Sequence, residues 1–197
     1  MPISHTNCYG KTYYLHEGKT KIGNPKYFVS TKSEGNFAKA IPDGYEIYEQ
    51  PGGMVYFRKI QKTPILPHEL KYVQDKIAPL RNKDDEKEYE QMKAFLIANS
   101  TDFLSSNGQS YLEQNYRMRY EAEIRGMEII IYRVRGHAMP ILKFELIDEE
   151  TREYLAYRWC FRGRIDGWIH IGFSGQLKCL VDKYCPSLGT DDFYELI

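Results

Sequence analysis

The segment Glu153–Gly172 has the sequence Glu-Tyr-Leu-Ala-Tyr-Arg-Trp-Cys-Phe-Arg-Gly-Arg-Ile-Asp-Gly-Trp-Ile-His-Ile-Gly, which includes both tryptophans of the chain. Its first half alternates between two sets of side chains, which are Tyr157, Trp159 and Phe161 against Ala156, Arg158 and Cys160. A period of two is typical of a strand with one buried face. The segment therefore predicts a strand, a glycine-bounded turn and a second strand, with which the residues from about Tyr116 onward are expected to pair.

Residues 114–197 predict one antiparallel meander of four or five strands. Apolar and charged residues alternate from Tyr116 to Ile124, and Met127–Arg135 and Ile141–Asp148 follow as two further strands. After the last strand, Ser174 is a candidate helix cap, and one apolar stripe follows it: Leu177, Leu180, Val181 and Tyr184. We expect this C-terminal helix to pack on the sheet, and Thr190 to cap a last turn.

Residues 10–60 predict a small unit that consists of a single four-stranded, mostly antiparallel sheet. The clearest local hairpin joins Tyr45–Glu49 to Met54–Arg58 through Gln50-Pro51-Gly52-Gly53, where glycine supplies the positive φ that a tight turn needs. Two earlier strands are joined by a loop with Gly18, Gly23 and Pro25, residues that are unfavourable in a helix. A short helix is expected near Gly35–Ala40.

Residues 61–113 have the pattern of a helical connector. Pro67 suits the first turn of a helix that ends at Pro79, and a second helix is predicted up to about Ala98. A loop is expected over Ser105–Gly108. The fold class predicted for the whole chain is α+β, with antiparallel sheets, a helical middle segment and a C-terminal helix on the second sheet.

Composition narrows the classes of function. The 197 residues are 42% hydrophobic and carry 27 acidic and 27 basic side chains, so the chain has no global attraction for nucleic acid or anionic membrane. The four cysteines form no C-x-x-C pair, so we expect no zinc ribbon and no other metal site. No cofactor-binding motif, leader or long apolar run is present, and we expect a reduced cytoplasmic protein that makes no use of a membrane.

Four segments resemble one family of uncharacterised bacterial proteins. They are Lys11–Lys21, Pro25–Ser30, Ile41–Glu49 and Arg158–Ile169, so the resemblance covers most of the chain. It implies a bacterial source and brings no activity with it.

A second resemblance is to the WGR module, a sheet that binds DNA ends and breaks through an aromatic-Arg-Trp-Gly-Arg core. Here Tyr157-Arg158-Trp159 is separated from Arg162-Gly163-Arg164 by Cys160-Phe161, so the Trp-Gly-Arg tripeptide is not contiguous. This resemblance implies binding of DNA through the second unit.

Nucleic-acid binding is the first candidate function. The segment from Lys11 to Lys39 holds six lysines and two acidic residues, with aromatic residues between them. Lysines neutralise phosphates and exposed rings stack on bases. The candidate residues are Lys19, Lys21, Lys26 and Tyr27 in the first unit and Arg158, Arg162, Arg164 and Trp168 in the second. The structural alternative is a solvated sheet edge whose lysines prevent aggregation and whose rings face the core.

Arginines of the second unit suggest a face that grips phosphate or carboxylate groups. The set comprises Arg117, Arg119, Arg133, Arg135, Arg158, Arg162 and Arg164. The structural alternative is that these arginines form ion pairs with glutamates on neighbouring strands, which would leave their guanidinium groups unable to bind a ligand.

A rival class is an enzyme or a small-ligand-binding protein. Cys160, Asp166 and His170 are the residue types of a Cys-His arrangement, and they would line a pocket between the units. No helix N-terminus or glycine-flanked elbow accompanies Cys160 to lower its pKa, which favours a buried, inert thiol. We therefore expect a non-enzymatic binding protein with nucleic acid as the first partner to test, and a protein–protein assembly module remains the third possibility.

Overall fold

The computed structural model describes residues 2–80, 83–99, 106–162 and 165–196 and divides the chain into two compact units, Met1–Gln61 and Lys62–Ile197. Both units contain antiparallel sheets, and the second also contains the helices, so the protein has an α+β fold. The helical segment from residue 62 to 113 belongs to the second unit, and Val73 and Ile77 of its first helix are part of the core of that unit. No helix within the described ranges is long and apolar enough to span a bilayer.

The first unit has two small sheets. Strands β1 (Ser4–Thr6), β2 (Thr12–Lys19) and β3 (Pro25–Ser30) form one antiparallel sheet, and β4 (Tyr45–Glu49) pairs with β5 (Val55–Lys59) in a separate hairpin. The prediction of a single four-stranded sheet was wrong. Its four strands exist, but they divide between two sheets, and the polar β1 escaped notice because three residues carry too little pattern.

Polar contacts join β1 and its turn to the β4–β5 hairpin. The Glu49 carboxylate forms a hydrogen bond with His5 Nε2 at 2.7 Å and accepts a second one from the backbone N–H of Cys8 at 2.8 Å. The Asn7 side-chain amide donates a hydrogen bond to the Gly53 carbonyl at 2.7 Å. Burial alone would raise the pKa of Glu49, but these bonds from Cys8 and His5 lower it overall. These side-chain contacts hold the two sheets together across 40 or more residues of sequence.

Two local predictions for the first unit have different outcomes. Gly52 and Gly53 adopt φ of +88° and +78°, which confirms the glycine turn. The predicted helix near Gly35–Ala40 is wrong: Phe37 forms an isolated bridge with His16, and its ring lies 5.0 Å from that of His16. Tertiary aromatic contact outweighs the weak local helix signal here.

The second unit is built on a five-stranded antiparallel sheet in the order β10-β9-β8-β7-β6, which confirms the predicted meander. Its strands are β6 (Arg119–Arg125), β7 (Glu128–Arg135), β8 (His137–Asp148), β9 (Glu153–Arg162) and β10 (Ile165–Gln176). The opening segment forms the antiparallel pair β9–β10, and the predicted glycine turn between these strands lies outside the described residues. Trp159 pairs with Trp168, and Ala156 pairs with Ile171 on the core side.

One face of this sheet is covered by helices. Helix α1 (Pro67–Ile77) contributes Val73 and Ile77, and α4 (Leu177–Tyr184) contributes its predicted stripe, against core residues that include Phe144. Each fully buried side chain of this size contributes about 1.5–3 kcal/mol. On the other face, Trp168 packs against a smaller cluster of Ile130, Tyr132 and Val134.

A helical hairpin and a short C-terminal segment complete the unit. Helix α2 (Lys83–Asn99) was predicted, whereas α3 (Ser106–Tyr116) was not, because a loop was expected to begin there. The packing of Leu112 on Tyr89 supplies the apolar contact that stabilises α3.

The C-terminal elements follow their predicted order. Helix α4 begins one residue after Gln176 rather than at Ser174, whose hydroxyl instead donates to Glu153. A 3-10 turn over Cys185–Ser187 contains Pro186 and ends α4, and the short α5 (Asp191–Tyr194) follows Thr190.

Candidate functional site

The tip of the β2–β3 hairpin carries the lysines that the sequence singled out. Lys19, Lys21 and Lys26 are all exposed, and the eight residues from 19 to 26 contain no acidic side chain. The connection is an ordered turn, because the Thr20 N–H donates to the Asn24 carbonyl at 2.8 Å and the Asn24 N–H donates to the Thr20 hydroxyl at 3.1 Å. The tip is therefore a compact, positively charged projection.

The strand register decides on which side of the hairpin each lysine lies. Lys19 pairs with Pro25, and Lys26 pairs with Gly18, so Lys19 and Lys26 belong to neighbouring pairs and project from opposite faces. None of the three lysines takes part in an ion pair within the described ranges. Positive charge is consequently presented on both sides of a two-stranded ribbon.

Two apolar residues of this hairpin were not among the predicted site residues. Ile22 lies in the turn and is 84% exposed, and Phe28 in β3 is 41% exposed with its ring stacked on His16 at 5.4 Å. Tyr27, the predicted stacking residue, is half-buried and packs on Phe57 at 5.8 Å. Strand alternation could have identified Phe28, because Phe28 lies two residues from the exposed Lys26.

The predicted site residues of the second unit do not share one surface. The Arg158 Nε donates to the Leu196 carbonyl at 2.7 Å, and the neighbouring Trp159 projects from the other face, where its ring meets Trp168 edge-on at 5.1 Å. Arg158 and Trp168 thus lie on opposite faces of the sheet. The Arg162 side chain and all of Arg164 lie outside the described residues.

Within the described part of the chain, four of the seven arginines of the proposed face form ion pairs, and two other arginines of the same unit are paired as well. The pairs are Arg117 with Glu113, Arg119 with Glu121, Arg125 with Glu123, Arg133 and Arg135 with Asp85, and Arg152 with Glu69. Lys143, which lies in the middle of the sheet, likewise binds Glu128 and Glu145. The sequence indicated this alternative, in which the arginines pair with acidic side chains. One partner was not foreseen, because Asp85 lies on helix α2 and not on a neighbouring strand.

The residues of the Cys-His alternative are not brought together. Cys160 pairs with Gly167 and is buried, whereas His170 pairs with Tyr157 on the opposite face and meets its ring edge-on at 5.4 Å. Asp166 accepts a hydrogen bond from the Trp159 indole at 3.3 Å. Among the residues whose placement is described, no cluster of three histidine, cysteine or acidic side chains could hold a metal ion.

Comparison with known proteins adds no constraint on this site. The chain matches no protein-family model, no curated protein and no solved structure.

Proposed function

We propose that the protein binds duplex DNA by inserting the tip of the β2–β3 hairpin into the major groove. The observation that carries this proposal is the placement of Lys19 and Lys26 on opposite faces of the ribbon, with Lys21 in the turn between them. A groove is bordered by two phosphate backbones, so a ribbon with a lysine on each side can contact both. The major groove of B-form DNA, about 12 Å wide, admits a two-stranded β-ribbon.

Two further observations favour duplex DNA over other nucleic acids. Single strands are held by exposed rings on which successive bases stack, whereas the Tyr27 ring packs against Phe57 and the Phe28 ring is stacked on His16. Double-stranded RNA has a deep and narrow major groove that side chains do not read. The ribbon therefore matches the groove dimensions of B-form DNA best.

Reversing the charge of the hairpin tip is expected to weaken the binding of DNA strongly. With about three phosphate contacts, affinity for a short duplex should be modest, with a Kd on the order of 10⁻⁶–10⁻⁴ M, and log K should fall with log salt with a slope of roughly −3. Fluorescence anisotropy with a labelled duplex, at salt concentrations of about 50 and 200 mM, measures both quantities. The Lys19→Glu/Lys21→Glu/Lys26→Glu variant should lose at least about tenfold in affinity at the lower salt concentration.

The matched control is Lys62→Glu/Lys87→Glu/Lys178→Glu, which changes three exposed lysines of the second unit and gives the same net charge. This control should retain binding. The labelled single strand and an RNA duplex of the same sequence should bind more weakly than the DNA duplex. Equal loss in both variants, or no binding of wild type to DNA at the lower salt concentration, would contradict the proposal.

Substitution of Ile22 tests the apolar part of the proposed contact with DNA. Its side chain is 84% exposed, so Ile22→Ser should leave the stability of the first unit unchanged. Apolar contact between Ile22 and thymine methyl groups would be lost, and affinity for an A·T-rich duplex should fall about threefold to tenfold with an unaltered salt slope. A change in the slope instead would show that the substitution had altered the phosphate contacts.

A further inference from the structure

A small cleft lies where the sheet of the second unit meets the C-terminal segment. Its volume is about 150 Å³, and Tyr120, Ile141 and Phe193 form a buried floor. Arg133 lies at its wall, while Asp191 and Tyr194 are exposed at its rim. A cavity of roughly this size accommodates a molecule as large as benzene.

Tyr120 places an uncommitted hydroxyl in this cleft. The residue is only 5% exposed, yet its hydroxyl makes no hydrogen bond with another residue of the described ranges. Burial, and to a lesser extent the nearby Asp85 carboxylate, raises the pKa of Tyr120 to about 12 although Arg133 acts in the opposite direction. At neutral pH the hydroxyl is therefore protonated and able to donate a hydrogen bond.

Arg133 is held rigidly beside that hydroxyl. Its Nη2 donates to both carboxylate oxygens of Asp85, at 2.9 and 3.0 Å, and Asp85 is also bound by Arg135 at 3.2 Å. The Nε and Nη1 groups of Arg133 make no hydrogen bond to any described residue, so donors remain for a bound anion. A fixed guanidinium beside a phenolic donor is suited to a carboxylate.

We propose that this cleft binds a small zwitterion of the amino-acid class. Its carboxylate accepts hydrogen bonds from Tyr120 and Arg133, and its ammonium group lies against the Asp191 carboxylate at the rim. The ion pairs around Asp85 leave no large excess of charge at the wall, so a ligand with both charges fits better than a simple anion. This site lies wholly within the second unit and is independent of the DNA-binding hairpin.

Isothermal titration calorimetry of the full chain against each of the twenty proteinogenic amino acids, at millimolar concentration, tests the proposal. At least one of them is expected to bind saturably. For that amino acid, the corresponding amine without the carboxylate and the acid without the amine should each bind at least about tenfold more weakly. Absence of saturable binding by all twenty, or equal binding of either truncated compound, would overturn the assignment.

Tyr120→Phe keeps the aromatic floor and removes only the hydroxyl, so it should weaken binding about tenfold without unfolding the unit. Tyr111→Phe is the matched control, because Tyr111 is an exposed tyrosine of α3 that does not line the cleft. It should bind as wild type does, and Asp191→Asn should bind more weakly. Unchanged affinity in Tyr120→Phe would place the ligand elsewhere and refute the proposal.

Discussion

Arg152→Ala is expected to lower the free energy of unfolding of the second unit by about 3 kcal/mol. The Arg152 guanidinium binds the buried carboxylate of Glu69 through two nitrogens, and also donates to the Pro64 carbonyl at 3.2 Å and to the Tyr154 hydroxyl at 3.1 Å. These bonds connect the β8–β9 turn to the start of α1. Removing Arg152 leaves the Glu69 charge, which is 8% exposed, without its cationic partner.

Alanine is the informative replacement because Arg152 has a φ of +55°. Any residue with a β-carbon, including the native arginine, is strained by about 1–2 kcal/mol in this left-handed conformation, whereas glycine is not. Arg152→Ala keeps this strain and therefore reports the loss of the side-chain bonds, whereas Arg152→Gly also relieves the strain and should cost about 1–2 kcal/mol less. Urea denaturation followed by tryptophan fluorescence is suitable, since both tryptophans, Trp159 and Trp168, belong to this unit.

The pH dependence of stability provides a second readout of the same contact. Burial by itself raises the pKa of Glu69, but the bonds from Arg152, Leu66 and Tyr154 lower it below the ordinary value of 4.5. The stabilisation is therefore fully present above about pH 4.5 and is lost as the pH falls through the lower folded-state pKa. Glu69→Gln should remove this part of the acid sensitivity.

Arg117→Ala serves as the control, because Arg117 pairs with Glu113 in an exposed i,i+4 contact. Pairs of this kind contribute about 0–1 kcal/mol. A loss in Arg152→Ala no larger than in this control would show that the buried pair contributes nothing.

Gly172→Ala should destabilise the second unit by about 2–5 kcal/mol. Gly172 has a φ of +70°, and an added β-carbon would lie 1.9 Å from the Tyr184 hydroxyl oxygen. Left-handed strain accounts for about 1–2 kcal/mol, and forced displacement of a buried ring accounts for about 1–3 kcal/mol. Tyr184 is 2% exposed and donates to the Ile171 carbonyl at 3.2 Å, so it has little room to move.

A double-mutant cycle separates the two contributions. In the Tyr184→Phe background the clashing oxygen is absent, and Gly172→Ala should cost about the left-handed strain plus a small shift of the ring, whose Cζ would lie 3.2 Å from the added β-carbon. Gly126→Ala is the matched control, because Gly126 has a φ of +61° but no atom within 4 Å of an added β-carbon. If the Gly126 and Gly172 substitutions lower the free energy of unfolding equally in the wild-type background, the close approach of Tyr184 does not contribute to the destabilisation.

The local sequence pattern was sufficient to predict most of the helices and strands. The remaining elements depend on tertiary contacts. The alternation around Trp159 predicted its strand and both of its faces, and Pro67 marked the start of α1. The sequence could not predict α3, because its weak pattern is stabilised by the packing of Leu112 on Tyr89.

The candidate site shows the same division. The three lysines and the turn were evident from residue type, because a run of lysines without acidic residues needs no tertiary information. Whether a ring is exposed depends on what packs against it, and Phe57 covers Tyr27 while Phe28 remains partly open. Strand register alone placed Lys19 and Lys26 on opposite faces, which directed the proposal to a groove.

By itself, the sequence determined the α+β class, the antiparallel meander, helices α1, α2 and α4, and the basic hairpin, because these follow from periodicity, turn residues and charge over short stretches. Only the tertiary structure decided that Arg117, Arg119, Arg133 and Arg135 are paired, that Cys160 and His170 face opposite ways, and that Tyr120 and Arg133 line one cleft. These outcomes depend on contacts between residues far apart in the chain, and no local pattern encodes them.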